Sequence, residues 1–126
     1  MNILLAEDSA VLAKEIECAL LDIAGVEQVV LTSSVTETRA VVEREAFDLL
    51  VLDFALGDGT ALDLLSDPPN ALRSDRPPVI ILTIHASKAL FERCLAAGAS
   101  HCFDKTSDWD ELIGVIESMA GGGASG

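Results

Sequence analysis

The sequence DLLVLD, Asp48–Asp53, places four successive apolar residues between two carboxylates. Half-exposed strands carry polar residues at every second position, whereas strands that are buried on both faces read as unbroken apolar runs. We therefore predict a central strand of a parallel sheet at Asp48–Leu52. Asp53 then follows the carboxyl end of this strand.

Four further apolar runs flank this strand at similar spacing, at Asn2–Ala6, Glu27–Leu31, Val79–Thr83 and Ser100–Phe103. The amphipathic stretches between the runs predict five helices. These helices are expected at Ala10–Ile23, Ser34–Arg44, Thr60–Leu65, Ser87–Ala97 and Asp108–Ala120. Because strand and helix alternate strictly, we predict an α/β fold, a doubly wound five-stranded parallel sheet with helices on both faces.

Length and charge limit the classes of function. The chain has 126 residues, enough for one domain, and its 8 Lys+Arg against 21 Asp+Glu give a net charge of −13. Such a surface repels nucleic acid phosphates and anionic lipids, so neither is an expected partner. No apolar run is long enough to span a bilayer and MNILLAED is not a secretion signal, so we expect a cytoplasmic protein.

The two ends of the chain and its cysteines carry little further information. Residues 1–120 are predicted to form one domain, and GGGASG at 121–126 is predicted to be a flexible Gly-rich tail. The three cysteines have no CxxC spacing, so no disulfide framework is expected. A zinc site built from His85, Cys94, His101 and Cys102 is disfavoured, because their spacing fits no standard pattern.

Chemically useful side chains stand at the predicted strand ends, where open parallel sheets bind their ligands. Glu7 and Asp8 follow the first strand, Asp53 the third and Lys105 the fifth, while Thr83 ends the fourth. A group of carboxylates binds Mg²⁺, and without a divalent cation these carboxylates would repel each other. Asp53 would be the nucleophile in a phosphoryl transfer, while Thr83 and Lys105 would hold the phosphoryl oxygens.

Each of these residues also has an ordinary interpretation. The pair Glu7-Asp8 is compatible with a plain loop start before a helix, and Asp53 with a turn residue before a Gly-rich loop. Thr83 alone is an unremarkable strand end, and Lys105 alone a surface lysine. Their joint placement in register with the strands favours the functional interpretation.

Over residues 1 to about 120, the chain resembles the receiver domain of bacterial two-component response regulators. Four segments carry the resemblance: ILLAEDS at 3–9, DLLVLDFALGDGTALDLL at 48–65, PPVIILT at 77–83 and GASHCFDKTSD at 98–108. The resemblance implies a flavodoxin-like fold with strand order 2-1-3-4-5. It also implies that a histidine kinase, or a histidine phosphotransfer protein, donates a phosphoryl group to Asp53.

The resemblance further implies a set of roles for the site residues. Asp8 and Asp53 would bind Mg²⁺ directly, Glu7 would act largely through water, and the backbone carbonyl of Ala55 would complete the set. Thr83 would bond the phosphoryl group and Lys105 would pair with it. Phosphorylation would then shift the face formed by the last two predicted helices and the strand between them.

Cys102, Gly57 and His85 are among the positions that depart from the family's usual pattern or vary within it. Cys102 stands three residues before the lysine, where the family usually has Tyr or Phe, so the usual aromatic switch is missing. The neighbouring Phe103 is expected to point to the opposite face of its strand, into the core. Gly57 stands where proline is frequent, which predicts a looser loop. His85 would either orient or occlude an attacking water, or would be a plain loop histidine.

We interpret the chain as a stand-alone phosphoacceptor receiver that signals through protein contacts or passes its phosphoryl group onward. A piece of a longer regulator, with GGGASG as the start of its linker, would have the same sequence pattern. It is not expected to be a turnover enzyme, because short loops leave no room for a substrate pocket, as a small aspartyl-phosphate phosphatase would need. The main alternative is a pseudo-receiver, an adaptor with a constitutive protein-binding interface. The downstream target is not predicted, and both a monomer and a phosphorylation-dependent dimer are compatible with the sequence.

Overall fold

The computed structural model describes residues 1–74, 76–84 and 86–125 of the chain. Five parallel strands form one sheet in the order β2-β1-β3-β4-β5, which confirms the predicted α/β fold and strand order. The strands are β1 (Asn2–Ala6), β2 (Gln28–Thr32), β3 (Leu49–Asp53), β4 (Val79–Thr83) and β5 (His101–Asp104).

Three of the strands begin and end one residue later than predicted: β2, β3 and β5. In β3 the backbone pairing continues through Asp53, which lies opposite Leu82 of β4. Asp48 falls outside the strand, and its carboxylate accepts a hydrogen bond from the backbone N–H of Asn2. Asp53 is therefore the last residue of a fully buried strand rather than the first residue of a loop.

The helices among the described residues are α1 (Ala10–Leu21), α2 (Val35–Arg44), α3 (Ala61–Ser66), α4 (Ala71–Ser74), α5 (Lys88–Ala96) and α6 (Trp109–Ser125). The short α4 is additional to the five predicted helices. It was missed because Pro68-Pro69 reads as a stop signal, whereas the chain resumes a single helical turn that buries Leu72. Helix α6 includes residues 121–125, which the sequence assigns to a tail, and the domain boundary at residue 120 stays a prediction.

Alternating side chains of the central strands fill two cores, one on each face of the sheet. Leu50 and Leu52 of β3 pack toward α2, α3 and α4, whereas Leu49 and Val51 pack toward α1 and α6. The prediction for β5 is confirmed: Phe103 belongs to the α1/α6 core, and its neighbour Cys102 packs on the opposite face. Helices thus cover both faces of the sheet, and a binding site is expected at the carboxyl ends of the strands.

Side-chain caps fix the helix starts at that edge. The hydroxyls of Ser9, Ser34 and Ser87 accept hydrogen bonds from the first-turn amides of α1, α2 and α5. Each cap follows a strand by a few residues, so the connections between strand and helix are short. Within the described ranges, none of the helices combines the length and apolarity needed to cross a bilayer.

Candidate functional site

Three carboxylates converge at the carboxyl edge of the sheet. Glu7 and Asp8 follow β1, and Asp53 ends β3, which is paired with β1. One carboxylate oxygen from each residue lies within 4.8 Å of those of the other two. Glu7 and Asp53 are buried, while Asp8 is exposed. The structure therefore places side chains that are 45 or more residues apart in the sequence within one site open to solvent.

Lys105 enters this cluster from β5. Its Nζ lies 2.5 Å from Oε1 of Glu7 and 3.0 Å from Oδ2 of Asp53, and only 11% of its side chain is exposed. The backbone N–H of Lys105 donates to the carbonyl of Thr83 at 2.9 Å. This bond extends the pairing between β4 and β5 beyond the ends of the strands. The ammonium is thereby held against the two buried carboxylates.

The pKa values of the two buried carboxylates in the cluster are shifted in opposite directions. Burial raises the pKa of Asp53 to about 6, against the lowering effects of the hydrogen bond and charge of Lys105. Burial also acts to raise the pKa of Glu7, but hydrogen bonds from Lys105 and the Ser9 N–H bring it below its ordinary value. The pKa of Lys105 is raised, because burial is outweighed by its bonds to both carboxylates. Lys105 and Glu7 therefore both stay charged over a wider pH range than Lys105 and Asp53 do.

Thr83 lies at the same edge, at the end of β4. It is buried, and its strand lies between β3, which ends at Asp53, and β5, which Lys105 follows. In the register of the sheet, Asp53 faces Leu82 and Thr83 faces Asp104. The order of the strands therefore places a hydroxyl-bearing residue at the same edge as the candidate nucleophile and the candidate cation.

The loop after β3 borders the acidic cluster on the side of Asp8. Ala55, two residues after Asp53, forms an isolated antiparallel bridge with Thr60, which makes the intervening segment a tight turn. Gly57 has a φ of +79°, a backbone conformation that residues other than glycine rarely adopt. A Cβ on Gly57 would lie 4.0 Å from Oδ2 of Asp8. Ala55 is thus at the base of a turn that borders the acidic cluster.

Sequence reasoning missed the role of Asp58, a residue within this turn. Its carboxylate accepts hydrogen bonds from the backbone N–H groups of Val35 and Thr36 and from the hydroxyl of Thr36. These bonds hold the pKa of Asp58 below its ordinary value, and the bond from the Val35 N–H has the largest effect. The loop that Gly57 was expected to loosen is therefore fastened to the N-terminus of α2. The only local signal was an Asp between two glycines, which indicates a turn but no partner.

The remaining predicted positions lie apart from the cluster or outside the described residues. His85 falls outside the described residues. His101 stacks on Phe103 with ring centroids 5.7 Å apart, on the α1/α6 face of the sheet. Cys94 and Cys102 interact with each other on the opposite face of the sheet. Burial is the main cause that raises the pKa of Cys102 to about 12. These three residues, the ones among the four zinc candidates that the structure describes, therefore do not converge on one point.

Comparison with known sequences finds relatives of one kind. A profile of the family described as the response regulator receiver domain matches residues 3–117. The transcriptional regulatory protein UhpA of Salmonella typhimurium is 36% identical over 73 residues, which are 58% of this chain and 35% of UhpA. UhpA of Escherichia coli matches with the same identity and coverage. The aligned part of the chain spans about a third of the length of these curated relatives.

Comparison with solved structures finds the same architecture. The BeF₃-activated N-terminal receiver domain of Klebsiella pneumoniae RstA superposes with a TM-score of 0.80 at 26% identity, over 95% of this chain and 98% of that one. The receiver domain of the Francisella response regulator 1452 gives a TM-score of 0.80 at 22% identity, over 94% and 95% of the two chains. The second likeness concerns the fold alone.

Proposed function

The chain belongs to the response regulator receiver domain family, and on this premise we propose that it accepts a phosphoryl group on Asp53 in a Mg²⁺-dependent reaction. Receiver domains are signalling domains rather than turnover enzymes. The observation that supports the proposal most strongly is the meeting of three carboxylates within 4.8 Å, with Lys105 paired to two of them. A nucleophile, a metal-binding group and a fixed cation are what phosphoryl transfer to a carboxylate needs.

The donor atoms fit a small hard cation. Asp8 and Asp53 would bind Mg²⁺ directly together with the backbone carbonyl of Ala55, and Glu7 would act through water. Glu7 is suited to an indirect role, because its carboxylate is already engaged by Lys105 and the Ser9 N–H. When bound, Mg²⁺ supplies positive charge that offsets the carboxylates and the phosphoryl oxygens.

In the proposed transfer, an oxygen of Asp53 forms a bond to phosphorus as the bond between phosphorus and the donor's histidine nitrogen breaks. Without a metal the pKa of Asp53 is raised by burial to about 6, which still leaves its carboxylate ionised at neutral pH. Lys105 moves from the carboxylate of Asp53 to a phosphoryl oxygen, and the hydroxyl of Thr83 donates to another. The protein contributes position and fixed charge rather than further covalent steps.

The proposal includes the partners. A histidine kinase or a histidine phosphotransfer protein would donate the phosphoryl group, and a downstream protein would read the result or receive the group in a relay. The net charge of −13 supports protein targets over nucleic acid. A cytoplasmic location and a monomer or phosphorylation-dependent dimer remain part of the proposal.

Incubation with acetyl phosphate and Mg²⁺, followed by intact mass spectrometry, tests the proposal. Wild type and Asp48→Asn should gain the mass of one phosphoryl group, and Asp53→Ala should gain none. Asp48 is a matched control, because its carboxylate stands just before the same strand but at the opposite edge of the sheet. An unlabelled wild type, or equal labelling of Asp53→Ala, would eliminate the phosphoacceptor function.

One observation favours the alternative of a pseudo-receiver with a constitutive interface. Cys102, a small residue, stands where an aromatic side chain usually reports phosphorylation in receivers, and it packs into a core with Cys94. If the wild type is labelled but its partner binding is unchanged by labelling, the adaptor function is supported. If partner binding changes on labelling, a phosphorylation-dependent switch is supported instead.

A further inference from the structure

We propose that Asp58 is a positioning residue that fastens the loop after β3 to the N-terminus of α2 and so presents the Ala55 carbonyl to the metal. The inference rests on the proposed function, because the role of Ala55 is part of it. Asp58 lies outside the acidic cluster. It would affect the metal only by fixing the position of the loop backbone.

The contacts of Asp58 use both of its carboxylate oxygens. Oδ1 accepts from the Val35 N–H at 2.8 Å, and Oδ2 accepts from the Thr36 N–H at 3.1 Å and from the Thr36 hydroxyl at 2.8 Å. The first amides of a helix have no acceptor within the helix, and a carboxylate at this end is favoured by the helix dipole. Because both oxygens are engaged, the side chain is fixed in orientation as well as in place.

Helix α2 does not need Asp58 merely to begin. Ser34 already caps the helix, since its hydroxyl accepts from the Glu37 N–H at 3.0 Å. Ser34 is adjacent to α2, whereas Asp58 reaches the same helix from 22 and 23 residues away. The additional consequence of the Asp58 contacts is therefore a link between α2 and the loop.

The loop is short and closed, so a restraint at Asp58 reaches Ala55. The Leu56 N–H donates to the Gly59 carbonyl at 3.0 Å, and Ala55 is bridged to Thr60. The Leu56 side chain, next to Ala55, is 2% exposed and anchors the turn in the core. Few backbone torsions separate Ala55 from Asp58, and most are already held by these bonds.

Close packing gives independent evidence for the same link. A Cβ added to Gly59 would lie 3.2 Å from Cγ2 of Val35, so the loop backbone lies directly against the first residue of α2. On its other side, the same loop brings Gly57 to the border of the carboxylates, with a would-be Cβ 4.0 Å from Oδ2 of Asp8. The loop thus touches α2 at one side and the metal-binding edge at the other.

Removal of the Asp58 carboxylate should free this loop and weaken the metal site without touching a metal ligand. Groups that orient metal ligands from outside the coordination sphere commonly change affinity by tenfold or more. We expect Asp58→Ala to bind Mg²⁺ on the order of tenfold more weakly than wild type. Phosphorylation by acetyl phosphate should slow at low Mg²⁺ and recover when Mg²⁺ is saturating.

Ser34→Ala is the matched control, because it removes a cap from the same helix but leaves the loop attached. Mg²⁺ affinity is measured by calorimetry, and stability by urea unfolding without Mg²⁺, on the full chain. Both variants should lose stability, and only Asp58→Ala should lose Mg²⁺ affinity. Equal Mg²⁺ affinity of the two variants would overturn the positioning role.

The outcomes separate this inference from the proposed function. A wild type that binds Mg²⁺ but is not labelled overturns the phosphoacceptor function, while the affinities of the two variants still decide the role of Asp58. A wild type that does not bind Mg²⁺ overturns both. If Asp58→Ala does not fold, Thr36→Val removes a single hydrogen bond to Asp58 and should weaken Mg²⁺ binding by about two- to threefold. Unchanged affinity in that variant contradicts the inference.

Discussion

Nζ of Lys105 lies 3.0 Å from Oδ2 of Asp53, at the point where the carboxyl ends of β3 and β5 face the same edge of the sheet. The same ammonium contacts Glu7, 98 residues earlier in the sequence. It therefore neutralises part of the charge of two buried carboxylates. A metal ion or a phosphoryl group that enters the site has to compete with these contacts or replace them.

The first prediction concerns the pH dependence of stability without metal. Burial raises the pKa of Asp53 from 3.8 to about 6, so between these values the folded protein binds more protons than the unfolded chain. Stability contributed by this group is therefore present below pH 4 and lost as the pH rises through 6. Relative to wild type, Asp53→Asn should become increasingly more stable as the pH rises through this window, by roughly 1–3 kcal/mol because solvent screening reduces the full effect of the shift.

Urea unfolding of both proteins at pH 4, 5, 6 and 7 in a chelating buffer measures this difference. Asp48→Asn serves as the control and should show no such trend, since its carboxylate lies at the opposite edge. A difference between Asp53→Asn and wild type that shrinks as the pH rises would contradict the account.

The second prediction concerns Lys105→Ala, which should separate metal binding from phosphoryl transfer. Because the ammonium competes with a metal for the same carboxylates, its removal should tighten Mg²⁺ binding by about tenfold. Labelling by acetyl phosphate at saturating Mg²⁺ should nevertheless slow by roughly a hundredfold, since a charge that stabilises the transferring group is gone. Lys88→Ala, with the same loss of charge at an exposed position, should change neither. Weaker Mg²⁺ binding by Lys105→Ala is the result that this account does not allow.

The third prediction concerns the cysteines. Burial raises the pKa of Cys102 to about 12, and that of Cys94 is raised as well, so both are thiols at pH 8. Cys18 is exposed. A thiol reagent should therefore modify Cys18 rapidly in the folded protein, the partly exposed Cys102 much more slowly, and the buried Cys94 only after denaturation. Rapid modification of Cys102 in the native state, identified by peptide mass spectrometry, would show that this strand opens more readily than its packing implies.

The fourth prediction tests the domain boundary. Met119 and Ala120 pack against the α1/α6 core, and a Cβ on Gly25 would lie 3.2 Å from the Cβ of Ala120. Residues 121–123 are glycines, which are poor helix formers. A chain that ends at Ala120 should keep its melting temperature within about 2 °C, whereas one that ends at Ser118 should melt lower. A large loss of stability on removal of 121–126 would move the boundary outward.

The sheet and its acidic edge were predictable from local patterns. Unbroken apolar runs such as Leu49–Leu52 identify strands that are buried on both faces, and the position of Asp53, Thr83 and Lys105 at strand ends follows from them. The exact last residue of β3 was not predictable, because an Asp after an apolar run reads as loop although its backbone still pairs with β4.

Long-range contacts of single side chains were also not predictable. The link from Asp58 to Val35 joins residues 23 positions apart, and neither periodicity nor a motif indicates it. The pairing of Lys105 with Glu7 rather than with Asp53 alone depends on side-chain positions at the edge, which a strand pattern does not specify. In both cases the sequence predicts which residues reach an edge, but not which of them bond.

Peptide mapping of the phosphoryl group decides whether Asp53 is the phosphoacceptor. The wild-type protein is incubated with acetyl phosphate, in one sample with Mg²⁺ and in another with a chelator, and digested under conditions that preserve acyl phosphates. We expect a phosphoryl group on Asp53 that appears only with Mg²⁺. A phosphoryl group on another residue, or equal labelling with the chelator, would contradict it.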